Sequence, residues 1–170
     1  MHQAQETEFR TYVSARSPAL RRTAFLLCGD WHRAEDLVQS TLITLYQHWG
    51  RLARRESVDA WVRTTLVRRA IDESRRPWRR ERATATLPDA AASPAYDSDE
   101  RLRVVAALRG LPARQRAVVV LRYYDDADVA ETARLLGCSE GTVKSHTARA
   151  LASLRDSLGA TLDEMTEATR

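Results

Sequence analysis

The chain has 170 residues and a mass of 19.2 kDa, room for one medium domain or two small ones, and carries a formal charge of +4 with a pI near 9.5. No run approaches the roughly 18 uninterrupted apolar residues of a membrane span, and the N-terminal Met-His-Gln-Ala-Gln-Glu lacks signal-peptide character, so no membrane insertion and a cytoplasmic location are expected. Its two cysteines, Cys28 and Cys138, lie far apart with no second Cys or His at metal-ligand spacing; they read as reduced, partly buried thiols, and neither a metal nor another cofactor is expected.

From Phe9 to Leu27, apolar residues at Phe9, Tyr12, Val13, Leu20, Ala24, Phe25 and Leu27 predict a helix, which Pro18 is expected to bend or restart. Gly29-Asp30 punctuates. Asp30 then caps a long helix whose stripe of Ala34, Leu37, Val38, Thr41, Leu42, Leu45, Tyr46 and Trp49 runs to Gly50. After the basic turn 53–57, a third helix begins near Val58 with Trp61, Val62, Thr65, Leu66 and Ile71 at helical spacing. Pro77 ends this region. Residues 77–100 turn Ala-, Asp-, Ser- and Pro-rich, the composition of an extended linker. Periodicity returns at Leu102, Val105, Leu108 and Leu111, breaks at Pro112, and resumes through Ala117, Val118, Leu121 and Tyr124; residues from about Gly159 read as a fraying tail. There is no strand-like alternation, internal repeat or Gly-rich phosphate loop.

The stretch from Asp128 to Leu151 reads as helix, short turn, helix. Asp128 can N-cap the first helix with Glu131 at the third helical position, a capping-box arrangement; Gly137 suits a left-handed C-cap, and Ser139 is a good N-cap for the next helix. That second helix turns Val143, Ala150, Leu151 and Leu154 inward and leaves Lys144, Ser145, Ala148 and Arg149 outward, where they can reach base edges in a major groove. A plain helical hairpin with solvated charges would carry the same pattern. The rest of the chain weighs on the nucleic-acid side: Arg51 to Arg82 holds eleven arginines against five acidic residues, a block that fits a polyanionic partner, whereas Ala83 to Glu100 holds four acids and no Lys or Arg.

Taken together, these segments resemble the extracytoplasmic-function (ECF, group IV) sigma factors of the sigma-70 family, over nearly the whole chain. The resemblance rests on Ala34-Glu35-Asp36-Leu37-Val38-Gln39 with Leu42, Tyr46, Trp61 and Ile71-Asp72, then on Leu111-Pro112-Ala113-Arg114-Gln115-Arg116 through Tyr123-Tyr124, and on Gly141-Thr142-Val143-Lys144-Ser145. Tyr123-Tyr124 and the segment Ala15 to Leu20 also resemble an actinobacterial, SigE-like subgroup. The resemblance implies an all-α protein of two small helical domains joined by a flexible acidic linker: a region 2-like domain over 9–76, the linker over 77–100, a region 4-like helix-turn-helix domain over 101–158, and the tail over 159–170.

Carried over position by position, it implies that Asp36 and Gln39 dock on core RNA polymerase, although Glu35 and Asp36 also suit a helix N-terminus through the dipole alone. It implies that the loop Ala53 to Ser57, with Arg54 and Arg55, captures a flipped base of the −10 element, and that Arg63, Arg68, Arg69, Arg75 and Arg76 track the unwound strand. Trp61 reads as core rather than as a stacking platform. Thr142, Lys144, Ser145, Ala148 and Arg149 match the positions that meet the −35 element, with Thr142 and the helix N-terminus on phosphate. Two positions depart from the family: Arg68 stands where Asn is common, which favours a phosphate contact, and Ala127 is smaller than the usual apolar residue. The partners implied are core RNA polymerase and promoter DNA, with an anti-sigma factor left open. No nucleophile-base pair or phosphate cradle supports an enzyme. The remaining rival is a free-standing helix-turn-helix regulator, which would need a ligand or receiver domain upstream that the basic block does not resemble.

Overall fold

The computed structural model describes residues 3–53, 58–75 and 99–168, with side chains as far as 159. Those residues are helical, joined by short turns, with no strand among them. Helix α1 spans Gln3–Cys28, α2 Trp31–Leu52 and α3 Val58–Ser74; after the acidic segment come α4 Asp99–Gly110, α5 Ala113–Val119, a π-helical turn Val120–Tyr124, α6 Val129–Leu136 and α7 Glu140–Ala168.

Helix α1 runs through Pro18 without restarting. Proline removes one backbone donor, but packing of the surrounding turns carries the helix through, and Ser17 Oγ donates to Val13 O at 2.7 Å beside the gap. At its C-terminus Gly29 (φ +71°) turns the chain, and Asp30 caps α2 in extended geometry by accepting from Arg33 N at 2.8 Å. Ala34, Leu37, Val38, Thr41, Leu45, Trp49 and Leu52 form the buried face of α2; the expected stripe fails only at Tyr46, which is 46% exposed although its ring meets Phe9 edge-on. Trp61 is half-buried and packs against Leu45, Trp49, Leu52 and Val62, a core position. Two further expectations shift: α4 starts at Asp99, inside the stretch read as linker, and the backbone of α7 stays helical past Gly159 to Ala168 instead of fraying.

Five consecutive residues, Ala117 to Leu121, are buried. An α-helix with one buried face cannot bury five in a row, but α5 packs against α7 and also against α1 and α3. The helix widens immediately after, with Asp125 N reaching Val120 O at 3.0 Å, and Tyr123 and Tyr124 are thereby turned out to solvent rather than continuing the apolar stripe.

The halves share a core. Ala24, Leu27, Leu37, Leu66, Val67 and Ile71 from the first belong to one contiguous apolar cluster with Val118, Leu121, Ala127, Leu135, Leu136 and Val143 from the second. Arg116 seals the seam: its guanidinium donates to Leu27 O at 2.9 Å, at the C-terminus of α1, and also to Leu111 O at 3.0 Å. Burial lowers the pKa of this group.

Candidate nucleic-acid interface

The caps of α6 and α7 rest on three residues, Asp128, Gly137 and Ser139. Asp128, in extended conformation, accepts from Glu131 N at 2.7 Å; Gly137 adopts φ +62°, ψ +44°; Ser139 Oγ accepts from Thr142 N at 3.1 Å and shares a hydrogen bond with Thr142 Oγ1 at 2.9 Å. The capping box is only half made, because the Glu131 carboxylate is engaged by Arg63. A Cβ at Gly137 would meet only Arg68 Nη2, at an ordinary 3.6 Å, so Gly137→Ala isolates the conformational cost of the left-handed turn. It should destabilise the protein by about 1–2 kcal/mol, read from urea unfolding.

Beyond that turn α7 buries Val143 and Ala150 and exposes Lys144, Ser145, Ala148 and Arg149, while Thr142 is half-buried at its first turn. All five lie within the first three turns of α7, near the helix N-terminus, where free backbone N–H groups and the helix dipole favour an anion. Ala127, small as it is, is fully packed at the entrance to α6, and its N–H donates to Leu121 O at 2.9 Å.

On α2, Asp36 and Gln39 are exposed, as expected for a docking surface. Glu35 is not equivalent to Asp36: it is paired with Arg21 of α1. Sequence reading missed Ile43, which is 60% exposed and falls seven residues after Asp36, on the same face as Gln39 and Tyr46. An unpaired isoleucine on an otherwise polar surface was the available signal.

The basic residues of α3 are not one uniform strip. Arg68 and Arg75 are exposed, Arg69 donates to Thr44 Oγ1 on α2 at 2.7 Å, and Arg63 faces the second half. There its Nη1 donates to Glu131 Oε1 at 3.1 Å, and its Nε lies 3.9 Å from Asp125 Oδ2. Asp125 also accepts from Thr23 Oγ1 of α1 at 3.1 Å, and burial pushes its carboxyl above the ordinary range even though Thr23 and Arg63 act the other way. Arg54, Arg55 and Arg76 lie outside the described residues. At the N-terminal end of α3, Asp59 accepts from Tyr12 Oη at 2.8 Å and pairs with Arg16, which ties the helix start to α1; burial and this carboxylate raise the Tyr12 pKa. Among the described residues no group of His, Cys, Asp and Glu could hold a metal ion, and no helix is long and apolar enough to cross a membrane.

Residues 6–80 match sigma-70 region 2 and residues 101–154 match sigma-70 region 4. The chain is 36% identical over 159 residues to the RNA polymerase sigma-E factor of Streptomyces avermitilis, covering 93% of this chain and 89% of that one. It is 34% identical over 142 residues to the ECF RNA polymerase sigma factor SigM of Mycobacterium tuberculosis, covering 82% and 71%. Among solved structures, the sigma factor RpoE in complex with the anti-sigma factor NepR from Bartonella quintana is similar over 89% of this chain and 97% of that one, with a TM-score of 0.72 and 28% identity.

Proposed function

The chain belongs to the sigma-70 family and is an RNA polymerase sigma factor of the ECF type, with core polymerase and promoter DNA as its partners, and from that premise we propose how its surfaces divide the work. Residues 9–76 dock on the polymerase and read the opened −10 element, 77–100 tether the halves, 101–158 read the −35 element, and 159–170 form a terminal extension. The observation that carries this assignment is the segregation of exposed side chains. An apolar-centred polar face of Asp36, Gln39, Ile43 and Tyr46 stands on α2, and a compact strip of Thr142, Lys144, Ser145, Ala148 and Arg149 stands on α7. The first suits a protein partner, since interface centres combine an apolar anchor with a polar rim. The second suits a DNA groove.

Arg63, Arg68 and Arg69 on α3 and Arg75 just past its end are assigned to the phosphates of the unwound strand, with Arg54, Arg55 and Arg76 beside them in sequence. The factor performs no covalent chemistry of its own, works in the cytoplasm, and takes an anti-sigma protein as a third partner, by likeness to the Bartonella quintana factor crystallised with NepR. A free-standing regulator is disfavoured: the region 2 match over residues 6–80 occupies the place where its ligand or receiver domain would stand.

The test is footprinting on pooled chromosomal fragments with and without core polymerase. Selective protection of two elements, with permanganate-reactive thymines in the downstream one, is expected only with core, because unpairing costs energy that a small domain alone does not supply. A tight sequence-specific footprint by the isolated protein, as a dimer on a palindrome, would reverse the assignment.

A further inference from the structure

Of the 27 Lys and Arg side chains, 26 are arginine and one is lysine, so apart from the N-terminus the ε-amine of Lys144 is the only primary amine of the chain. Arginine and lysine offer a phosphate the same charge, but only lysine sheds a proton and takes an acyl group, because a guanidinium stays protonated. That one lysine stands among the exposed residues of α7 assigned above to the −35 element.

Its surroundings leave it open. Lys144 is exposed, and no carboxylate among the described residues forms an ion pair with it. Of its neighbours one turn away, Gly141 and Ala148 carry little or no side chain, and Thr147 is turned back, its Oγ1 donating to Val143 O at 2.8 Å. A Cβ at Gly141 would meet nothing nearer than Ser139 Oγ at 3.8 Å. We propose that Lys144 is an acylation site for an acyl phosphate or acyl thioester, and that its acylation switches off −35 recognition while docking on core polymerase is kept.

The step balances without a redox partner. Nζ, as the free amine, attacks the acyl carbonyl carbon; the amide C–N bond forms, the C–O or C–S bond to the leaving group breaks, phosphate or thiolate departs, and the amine proton passes to water. The charge removed is the whole local supply. Between Arg134 and Arg149 the only Asp, Glu, Lys or Arg side chains are Glu140 and Lys144, so acylation turns a balanced segment negative where a phosphate approaches. Helices α2 and α3 hold no lysine, so the modification spares the docking face and the strand-binding arginines.

This inference rests on the assignment of α7 to the −35 element, and the experiment separates the two. The full chain is treated with acetyl phosphate in one arm and acetyl-coenzyme A in the other, freed of reagent, and assembled with untreated core polymerase. Acetylation blocks tryptic cleavage after Lys144, so mass spectrometry reads peptide 135–149 in place of 135–144. The acetylated holoenzyme should bind a fluorescein-labelled promoter fragment roughly three- to tenfold more weakly, with a salt dependence lower by about one counterion, and its affinity for core should move by less than about twofold. Lys144→Arg keeps the N-terminal amine and should respond to neither reagent, each measured against its own untreated form. The chain recovered from cells grown with excess acetate should carry the same uncut peptide, and modification in one arm alone identifies the donor class. Acetylation of the N-terminus but not of Lys144 in both arms, absence of the uncut peptide from cells, an equal loss in treated Lys144→Arg, or unchanged promoter binding by the Lys144-acetylated chain overturns the proposal. A loss in Arg149→Ala without a loss on acetylation rejects the switch alone; wild-type promoter binding by both Lys144→Ala and Arg149→Ala shows that the assignment of α7 has failed, and the switch falls with it.

Discussion

Replacing Asp36 by Arg together with Gln39 by Ala is expected to weaken association with core polymerase by more than about thirtyfold, a loss of roughly 2 kcal/mol, while the free protein stays folded. Both side chains are exposed on the solvent face of α2, opposite Leu37, Val38, Thr41 and Leu45, so their loss removes no buried contact. Exposed substitutions of this kind move stability by no more than about 0.5 kcal/mol, which a thermal melt checks. Charge reversal places a guanidinium where the proposed docking face presents a carboxylate, and repulsion from a partner matched to that face would act on the complex alone. Ile43→Asp should act in the same direction, because Ile43 is the apolar centre of that face. Affinity chromatography on immobilised core polymerase reads all three changes. Undiminished retention of folded Asp36→Arg/Gln39→Ala would reject this face as the docking surface.

Legibility in the sequence tracked the range of the interaction. Asp30, Asp128, Gly137 and Ser139 act on backbone groups within three or four residues, and each adopts the capping role its residue type and spacing predict. The buried stripe of α2 is legible for the same reason, since period alone decides which side faces the core. Pro18 does not restart the helix, because local propensity is a weak force against the packing of neighbouring turns. Tyr46 and Tyr124 misled because a stripe read at constant pitch ignores what covers it: Tyr46 sits at the edge of the α1–α2 contact, and Tyr124 follows a π-helical turn that shifts the register. The engagement of Arg63 by Asp125 and Glu131 was out of reach. It joins side chains from the two halves of the chain, and no spacing rule links residues across the acidic segment. The basic block was legible as charge, but which of its arginines face solvent, α2 or the second half depends on tertiary packing.

Arg149→Ala and Lys144→Ala are expected to reduce transcription from the cognate promoter while leaving polymerase binding intact, and the form of the loss tells what each side chain does. Both project from the strip of α7 opposite Val143 and Ala150, so neither substitution opens a cavity. Arg149, with a planar fork of donors, suits bidentate contact with guanine; its removal should then cost on the order of 1–3 kcal/mol of discrimination at one base pair and relax preference there alone. Lys144, more than one turn closer to the helix N-terminus, is placed for phosphate; its removal should weaken cognate and scrambled upstream elements alike and reduce the salt dependence by about one counterion. The two outcomes are separated by measuring initiation on promoters substituted singly through the −35 element, each at two salt concentrations. Uniform weakening by Arg149→Ala would move that residue to the phosphate backbone. Wild-type transcription by both variants would remove α7 from promoter recognition, because an exposed basic strip that DNA does not touch has no other route to the initiation rate.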